Sequence, residues 1–354
     1  MSRVELLCLD GDGIGPEIMA ATIQVARESA RRFGLDLGLS RMDIGFAALK
    51  PHGTTIPDEV IAAARAADGV VLGPVSHNAY PPVAEGGHNP SGVLRAALEL
   101  FANIRPAVSY AGLPNPIGTP VDLVVVRENL EGFYADRNMF KGPGEVMPVP
   151  GVALATRLIT ARGSRRIAQA AFRIAAGRPA RRVTAVHKAN VMRVSDGLFL
   201  DEVRKVAAEH GDIAYDEVLI DAAAALLVRD PARFDVIVTT NMFGDILSDL
   251  ASELAGGLGL AASLNLGERH VAAQAQHGSA PDIAGKDRAN PTSLIGSVAM
   301  LFDHLGHREP AEAIRAALQR AIADPATRTR DLGGPLGTKA FAETLVGLLS
   351  KETS

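Results

Sequence analysis

Residues 234–250 have the sequence FDVIVTTNMFGDILSDL, in which an apolar, β-branched run precedes a segment with helical spacing. The run predicts a buried strand, and the predicted helix after it carries Asp245 and Asp249 four positions apart. Carboxylates at that spacing project from one face and repel each other unless a cation lies between them. Divalent cations prefer oxygen ligands, and α/β enzymes bind their ligands beyond the carboxyl ends of strands. The stretch therefore predicts a metal site where this strand ends.

The rest of the chain alternates short apolar runs with longer amphipathic ones. The candidate strands outside the first stretch are residues 4–9, 69–73, 121–126 and 182–186. Such alternation is typical of an α/β fold with mostly parallel strands. A chain of 354 residues is long for a single core, so two domains are expected.

The composition argues against several classes of partner. A formal net charge of -4 provides no basic surface for nucleic acid, and no uncharged apolar run is long enough to span a bilayer. The first residues do not have the pattern of a secretory leader, and Cys8, the single cysteine, cannot form an internal disulfide. We therefore expect a cytoplasmic protein that binds neither nucleic acid nor a membrane.

Residues 11–17, GDGIGPE, follow the first predicted strand and are similar to a dinucleotide-binding fingerprint. The glycines are spaced G-x-G-x-G rather than G-x-G-x-x-G, and no acidic residue follows at the expected strand end. A tight turn into a helix that starts near Pro16 explains the segment better, because proline suits the first helical position. A Rossmann-type cofactor site is therefore not expected here.

Three arginines lie near the ends of predicted elements, namely Arg95, Arg105 and Arg127. Guanidinium groups bind carboxylates in a bidentate manner, so a cluster of arginines would suit a di- or tricarboxylic acid. For any one of these arginines alone, a surface position is the better explanation.

Tyr134, Lys188 and Asp221 are further candidates for chemistry. Lys188 follows the predicted strand 182–186, and a lysine beside a metal and other cations can lose its proton and act as a base. A solvated side chain is the alternative for Lys188. Asp221 closes a short apolar run, where it is either a third carboxylate ligand or the N-cap of a helix.

Residues 277–285, HGSAPDIAG, form a loop of small residues. Small side chains allow backbone N–H groups to approach a nucleotide closely. His277 either stacks on a base or simply lies in the loop, and the local sequence favours neither interpretation.

Taken together, these segments resemble the β-decarboxylating dehydrogenases of the isocitrate and isopropylmalate dehydrogenase family. Any one segment is moderate support, whereas all of them in the family's order are highly specific. The matching segments are residues 11–17, 100–106, 127–134, 188–191, 241–249, 277–285, 290–291 and 331–334.

The resemblance implies a two-domain α/β fold of the isocitrate/isopropylmalate dehydrogenase type, not a Rossmann fold. Residues 1–100 together with 255–354 would form a large, discontinuous domain on the cofactor side. Residues 101–254 would form a small domain with the dimer interface and the metal site. Members are homodimers whose active site lies in the cleft between domains and takes residues from both subunits.

The resemblance also implies how the acid is bound and how protons move. The carboxylates of the malate unit would be held by Arg95, Arg105 and Arg127. Lys188 from the other subunit would take the proton of the substrate hydroxyl, and Tyr134 would protonate the enolate after CO₂ leaves.

The same resemblance assigns the metal and the nucleotide. Mg²⁺ or Mn²⁺ would be bound by Asp245 and Asp249, joined by Asp221 from the other subunit. The adenosine end of the cofactor would be held by His277, Gly278, Ser279, Ala280, Asp282, Ile283 and Asn290. Asp282 stands where a carboxylate would accept hydrogen bonds from a ribose 2′-OH and would repel a 2′-phosphate, which implies NAD.

The resemblance implies that the choice of substrate depends mainly on Asn89, Pro90, Ser91 and Gly92, which precede Arg95. Isopropylmalate enzymes carry leucines there, whereas these small and polar residues make a poor apolar pocket. Residues 127–134 resemble the isocitrate, homoisocitrate and tartrate members. However, isocitrate enzymes usually have Ser in place of Asn89 and Thr in place of Leu130. We expect an NAD- and metal-dependent oxidative decarboxylase of a 3-substituted malate that is isocitrate-, homoisocitrate-, tartrate- or D-malate-like.

Two alternatives remain. One is a 3-isopropylmalate dehydrogenase of leucine biosynthesis. The other, from a different class, is a non-catalytic regulatory subunit of the same fold. Such subunits lose metal or base residues, whereas this chain retains them all, so the second alternative is disfavoured.

Overall fold

The computed structural model describes residues 3–133 and 144–351, and its contacts divide the chain into two compact units. The terminal unit consists of Met1–Leu98, Tyr110–Pro114 and Gly256–Ser354, and the central unit consists of Glu99–Ser109 and Asn115–Ala255. The sequence-based bounds differ at the borders and place Tyr110–Pro114 in the other part. The assignment of cofactor, metal and dimer roles to the two parts stays a prediction.

Short strands recur along the whole of the described chain. In chain order they are β1 (Val4–Leu9), β2 (Leu37–Met42), β3 (Gly69–Leu72), β4 (Ala102–Val108), β5 (Asp122–Glu128), β6 (Glu145–Val149), β7 (Val152–Ala155), β8 (Arg182–His187), β9 (Ala214–Leu219), β10 (Val236–Thr239), β11 (Ala262–Leu266) and β12 (Val271–Ala275).

The α-helices of the same residues alternate with these strands over much of the chain. They are α1 (Gly15–Arg32), α2 (Phe46–His52), α3 (Asp58–Ala66), α4 (Pro90–Ala97), α5 (Ala161–Ala176), α6 (Ser195–Ala208), α7 (Ile220–Arg229), α8 (Asn241–Ala255), α9 (Thr292–His304), α10 (Arg308–Ala323) and α11 (Thr338–Lys351).

Both units contain a mostly parallel sheet, as the alternation predicts. In the terminal unit the strand order is β2-β1-β3-β12-β11, and only β11 and β12 pair antiparallel. In the central unit the order is β4-β5-β10-β8-β9, and only β4 and β5 pair antiparallel. Strands β6 and β7 form a separate antiparallel hairpin. The predicted α/β class is confirmed.

The parallel register of β5, β8 and β10 decides where the central unit can carry chemistry. Thr239 on β10 lies opposite Arg127 on β5 and opposite Val186 on β8. The carboxyl ends of the three strands therefore meet at one edge, with Lys188 just beyond β8 and α8 just beyond β10. Leu247 and Ala251 of α8 are fully buried against this sheet, so the opposite face of the helix is turned outward.

The Gly-Asp-Gly turn after β1 is closely packed. Gly11 and Gly13 have φ values of 74° and 58°, which favour glycine. A Cβ atom on Gly11 would lie 2.2 Å from the carbonyl oxygen of Pro74, and one on Gly13 would lie 2.0 Å from that of Ser279. Helix α1 then begins at Gly15 with Pro16 in its first turn. The interpretation of this segment as a turn into a helix is confirmed.

Candidate active site

The aspartate pair of α8 lies against two buried arginines of the central sheet. Nη1 of Arg105 is 3.2 Å from Oδ1 of Asp245 and 3.3 Å from Oδ1 of Asp249. Nη1 of Arg127 also donates to Oδ1 of Asp245. The spacing of the aspartates predicts a positive charge between them, and the structure places a guanidinium there. The two carboxylates remain 38% and 50% exposed, so a second cation can reach them from solvent.

Both arginines of this cluster are buried. Their side chains are only 7% and 4% exposed. Burial lowers the pKa of Arg105 to about 10, the charge of Arg127 contributes to the same shift, and the two aspartates oppose it. Guanidinium groups bind carboxylates in a bidentate manner, so this pair of arginines suits an acid with several carboxylates.

Two residues of α8 explain how the helix approaches Arg127. Oδ1 of Asn241 accepts from Nε and Nη2 of Arg127 at 3.0 and 2.7 Å. A Cβ atom on Gly244 would lie 2.6 Å from Cγ of Arg127, so glycine is required for this close approach. Helix α8 therefore supplies Arg127 with a hydrogen-bond acceptor in Asn241 and with space at Gly244, in addition to carrying the carboxylates of Asp245 and Asp249.

Lys188 and Asp221 form a second charged cluster of the central unit. Nζ of Lys188 donates to the carboxylate of Asp221, and this bond lowers the pKa of Asp221. Lys188 is 26% exposed, so it is paired and partly buried rather than fully solvated. Asp221 lies in the first turn of α7, and Leu219 is the N-cap residue, so the N-cap alternative for Asp221 is wrong.

The structure does not bring the three predicted metal-binding aspartates of one chain together. Among residues 3–133 and 144–351, no group of three His, Cys, Asp or Glu side chains is arranged to hold a metal ion. Asp245 and Asp249 are nevertheless exposed oxygen donors on one helix face, which suits two ligands of a hard divalent cation. Within the described residues, no third His, Cys, Asp or Glu side chain joins them.

Arg95 belongs to the terminal unit, where Gln274 connects it to Ser91. The amide oxygen of Gln274 accepts from Nη2 of Arg95 at 3.3 Å and lies 3.2 Å from Oγ of Ser91. The sequence analysis did not identify Gln274 as a site residue. It is the only polar residue of the strand VAAQA, and a polar residue in an apolar strand is a signal that could have identified it. Asn89 caps α4, because its side chain accepts from the backbone N–H of Gly92 at 3.3 Å.

Tyr134 lies outside the described residues, but the turn that leads to it is well defined. The buried carboxylate of Glu128 accepts from the backbone N–H of Leu130 at 3.0 Å and of Glu131 at 2.6 Å. Burial raises the pKa of Glu128 to about 7. Nδ2 of Asn129 donates to the carbonyl of Leu100 at 3.0 Å. The segment after Arg127 is thus fixed by its own buried polar residues.

The loop 277–283 of the terminal unit has a feature expected of a ligand site. Nε2 of His277 is buried and has no hydrogen-bond partner among the residues that the structure describes. Burial lowers the pKa of His277, which favours the neutral ring. Gly278 and Asp282 are exposed, and Ala280 has a φ of 35°. An orphaned imidazole nitrogen in an accessible loop fits a bound nucleotide.

Two other predicted cofactor residues make internal contacts. The carbonyl of Ser279 accepts from the backbone N–H of Ile14 at 2.9 Å, and its hydroxyl lies 2.7 Å from that of Ser76. The side chain of Asn290 donates to Asp331 and accepts from the backbone N–H of Thr292 at the start of α9. Ile283 ends the short 3-10 turn Pro281–Ile283.

Comparison with known proteins places the chain in a class of dehydrogenases. Residues 5–345 match the family model described as isocitrate/isopropylmalate dehydrogenase. The chain is 42% identical over 345 residues to a 3-isopropylmalate dehydrogenase of Archaeoglobus fulgidus, covering 98% of this chain and 99% of that protein. It is 41% identical to an isocitrate/homoisocitrate dehydrogenase of Thermus thermophilus, covering 97% and 98%.

A solved structure agrees with these matches. The crystal structure of isocitrate dehydrogenase from Methylococcus capsulatus has a TM-score of 0.89 and 39% identity, covering 98% of this chain and 100% of that chain. The chain belongs to the isocitrate/isopropylmalate dehydrogenase family, which confirms the predicted family and fold. It is therefore an oxidoreductase that oxidises a CH–OH group with decarboxylation, and its family depends on NAD(P) and a divalent metal.

Within the described ranges, no helix is both long and apolar enough to cross a membrane.

Proposed function

We propose that the chain catalyses the NAD-dependent, divalent-metal-dependent oxidative decarboxylation of a 3-substituted malate whose 3-substituent is polar or absent. The observation that carries this proposal is the cluster of two buried arginines and two exposed aspartates at one sheet edge. Such a cluster offers guanidinium groups to the carboxylates of an acid and carboxylates to a cation.

Lys188 would accept the proton of the substrate hydroxyl, and NAD⁺, when bound, would take up the hydride from C2, so that the acid becomes a β-keto acid. The carboxylate on C3 then leaves as CO₂, and its bonding electron pair forms the enolate, which Tyr134 protonates at C3. A divalent ion held by Asp245 and Asp249 would supply positive charge for the developing enolate oxygen.

We further propose that the metal site is completed by a second copy of this chain in a homodimer. Within one chain Asp221 pairs with Lys188 instead of joining Asp245 and Asp249. The hairpin β6–β7 exposes apolar side chains, with Met147 at 67% and Leu154 at 56%. An isolated hairpin is marginal in water, and an exposed apolar patch of this kind marks an interaction surface.

The choice of NAD rests on Asp282. Its side chain is exposed in the same loop as His277, where an anion would accept hydrogen bonds from a ribose and repel a 2′-phosphate. We propose a cytoplasmic enzyme, because its acid substrate, NAD and reduced Cys8 all suit that compartment.

The polar 3-substituent is supported by the environment of Arg95. Ser91 and Arg95 are joined by the amide of Gln274, so this part of α4 presents hydrogen-bonding groups rather than an apolar pocket. The alternative is 3-isopropylmalate, favoured by the names of relatives such as the Archaeoglobus fulgidus enzyme.

One assay separates these possibilities. NADH formation is measured with isocitrate, homoisocitrate, isopropylmalate, tartrate and D-malate, first with Mn²⁺ and then with EDTA. We expect activity with at least one acid that has a polar substituent, abolished by EDTA and by Lys188→Met. Activity with isopropylmalate alone would overturn the polar-substituent proposal. Absence of NADH with every acid would favour a regulatory subunit.

A further inference from the structure

Arg157 lies at the centre of a buried polar network in the central unit. It immediately precedes Leu158, which pairs with Gly132 across an isolated bridge. One guanidinium nitrogen, Nη1, donates to the carboxylate of Asp196 and, at 3.0 Å, to Oγ of Ser195. The other, Nη2, donates to Oγ1 of Thr240 at 2.9 Å. The Arg157 side chain is 10% exposed, so these bonds are shielded from water.

Asp196 connects Arg157 to the main chain of Lys188. Its side chain is fully buried, and Oδ2 accepts from the backbone N–H of Lys188 at 2.5 Å. The carboxylate therefore holds both the guanidinium of Arg157 and the main chain that carries the proposed base. Charge-assisted bonds of this kind are stronger than neutral ones and fix geometry.

Thr240 connects the same guanidinium to the aspartate helix, because it immediately precedes Asn241, the first residue of α8. The guanidinium carbon also lies 5.8 Å from the ring centroid of Phe133 and 5.6 Å from that of Phe243. Phe133 directly precedes Tyr134 in the sequence. One side chain thus contacts the start of α8 and the segment before Tyr134, and reaches the Lys188 loop through Asp196.

A buried ion pair by itself says little about stability, since desolvation of the charges offsets their attraction. Its value here is geometric, because a planar guanidinium presents several donors in a fixed arrangement that lysine cannot reproduce. Small displacements of catalytic groups cost far more rate than stability.

We propose that Arg157 is a positioning residue that sets the place of Lys188 through Asp196 and, separately, anchors the start of α8 through Thr240. This inference rests on the proposed function for its effect on turnover. It assigns Arg157 no contact with substrate, metal or cofactor.

The chain offers a matched control at the other end of β8. There Arg178 donates to the buried carboxylate of Asp235, whose Oδ2 accepts from the backbone N–H of Arg182 at 3.1 Å. This pair repeats the Arg157–Asp196 arrangement, but at the amino end of the strand, away from Lys188. Arg178→Gln therefore measures how much stability is lost when a similar buried ion pair is broken at a place that does not contact the Lys188 segment.

The test compares Arg157→Gln, Arg157→Lys, Asp196→Asn and Arg178→Gln. We expect the first three to lower kcat by about 10- to 100-fold while KM for NAD stays within about twofold of wild type. A substrate deuterated at C2 should show a larger isotope effect on kcat in these variants. Arg178→Gln should lower the melting temperature comparably and leave kcat within about twofold of wild type.

A second measurement does not depend on turnover. Hydrogen exchange of the peptide that contains Lys188 should become faster in Arg157→Gln and Asp196→Asn, but not in Arg178→Gln. Unchanged exchange, or equal kcat losses in Arg157→Gln and Arg178→Gln, would overturn the inference. If the wild type forms no NADH with any acid, the proposed function fails, and hydrogen exchange still supports or refutes the positioning.

Discussion

Asp245 and Asp249 share one helix face, yet their surroundings predict unequal roles in the stability of the metal-free protein. Asp245 pairs with both buried arginines and is 38% exposed, whereas Asp249 pairs with Arg105 at 3.3 Å and is 50% exposed. Asp245→Asn removes the charge that lies between two buried guanidinium groups and leaves their mutual repulsion. Asp249→Asn leaves that central charge in place.

The structure allows the magnitude to be bounded. Breaking a fully buried ion pair costs about 3–5 kcal/mol, whereas an exposed pair contributes about 0–1 kcal/mol. Asp245 is 38% exposed, so solvent screening reduces the loss to about 1–3 kcal/mol for Asp245→Asn. Asp249 is 50% exposed, and we expect about 0.5–1 kcal/mol for Asp249→Asn.

Thermal unfolding in EDTA measures the difference without metal. Each 1 kcal/mol corresponds to about 2–4 °C for a domain of this size, so Asp245→Asn should melt several degrees below Asp249→Asn. Asp212→Asn is the control, because Asp212 pairs with Arg181 on an exposed surface of the same unit and its loss should be small. An Asp245→Asn protein as stable as Asp249→Asn would refute the reasoning.

Three further outcomes follow from particular side chains. Asp282→Arg should raise the ratio of kcat/KM for NADP to that for NAD, because a cation replaces the carboxylate; an unchanged ratio would remove Asp282 from the nucleotide site. Burial raises the pKa of Glu128 from 4.5 to about 7, so the folded protein holds a proton there that the unfolded chain has released. The free energy of unfolding therefore falls as the pH rises from 4.5 to about 7. Glu128→Gln should therefore flatten the decline in unfolding free energy between these pH values, by at most about 1.4 kcal/mol per pH unit, in urea titrations. Leu154→Asp should shift the protein towards a monomer in sedimentation velocity; an unshifted dimer would exclude the hairpin as its interface.

The sequence predicts those features of the fold that depend on local pattern. Strand β1 has the predicted bounds, and β10 lies inside its predicted run, because apolar, β-branched residues specify a buried strand wherever it is placed. The aspartate spacing likewise predicts a nearby positive charge. It does not predict whether that charge is a metal ion or Arg105, which lies 140 residues away in the sequence.

Features that depend on residues far apart in the sequence could not be predicted from local sequence patterns. Gln274 gains its importance only because the fold brings Ser91 and Arg95 to it across 183 and 179 positions of sequence. Asp221 could be a ligand or a cap from local pattern, and its pairing with Lys188 depends on where β8 and α7 lie. Pairings between distant side chains follow from topology, which no short motif specifies.

The charge balance of the aspartate cluster has a consequence for binding order. Asp245 and Asp249 are held by Arg105 and Arg127, so a cation that takes the carboxylates would leave two buried positive charges less neutralised. The carboxylates of the acid can then replace the aspartates as partners of the arginines. Metal and acid should therefore bind with positive coupling, and by linkage each should raise the affinity for the other by the same factor. Titration of Mn²⁺ with and without the acid measures this factor, and equal affinities would show that the arginines do not exchange partners.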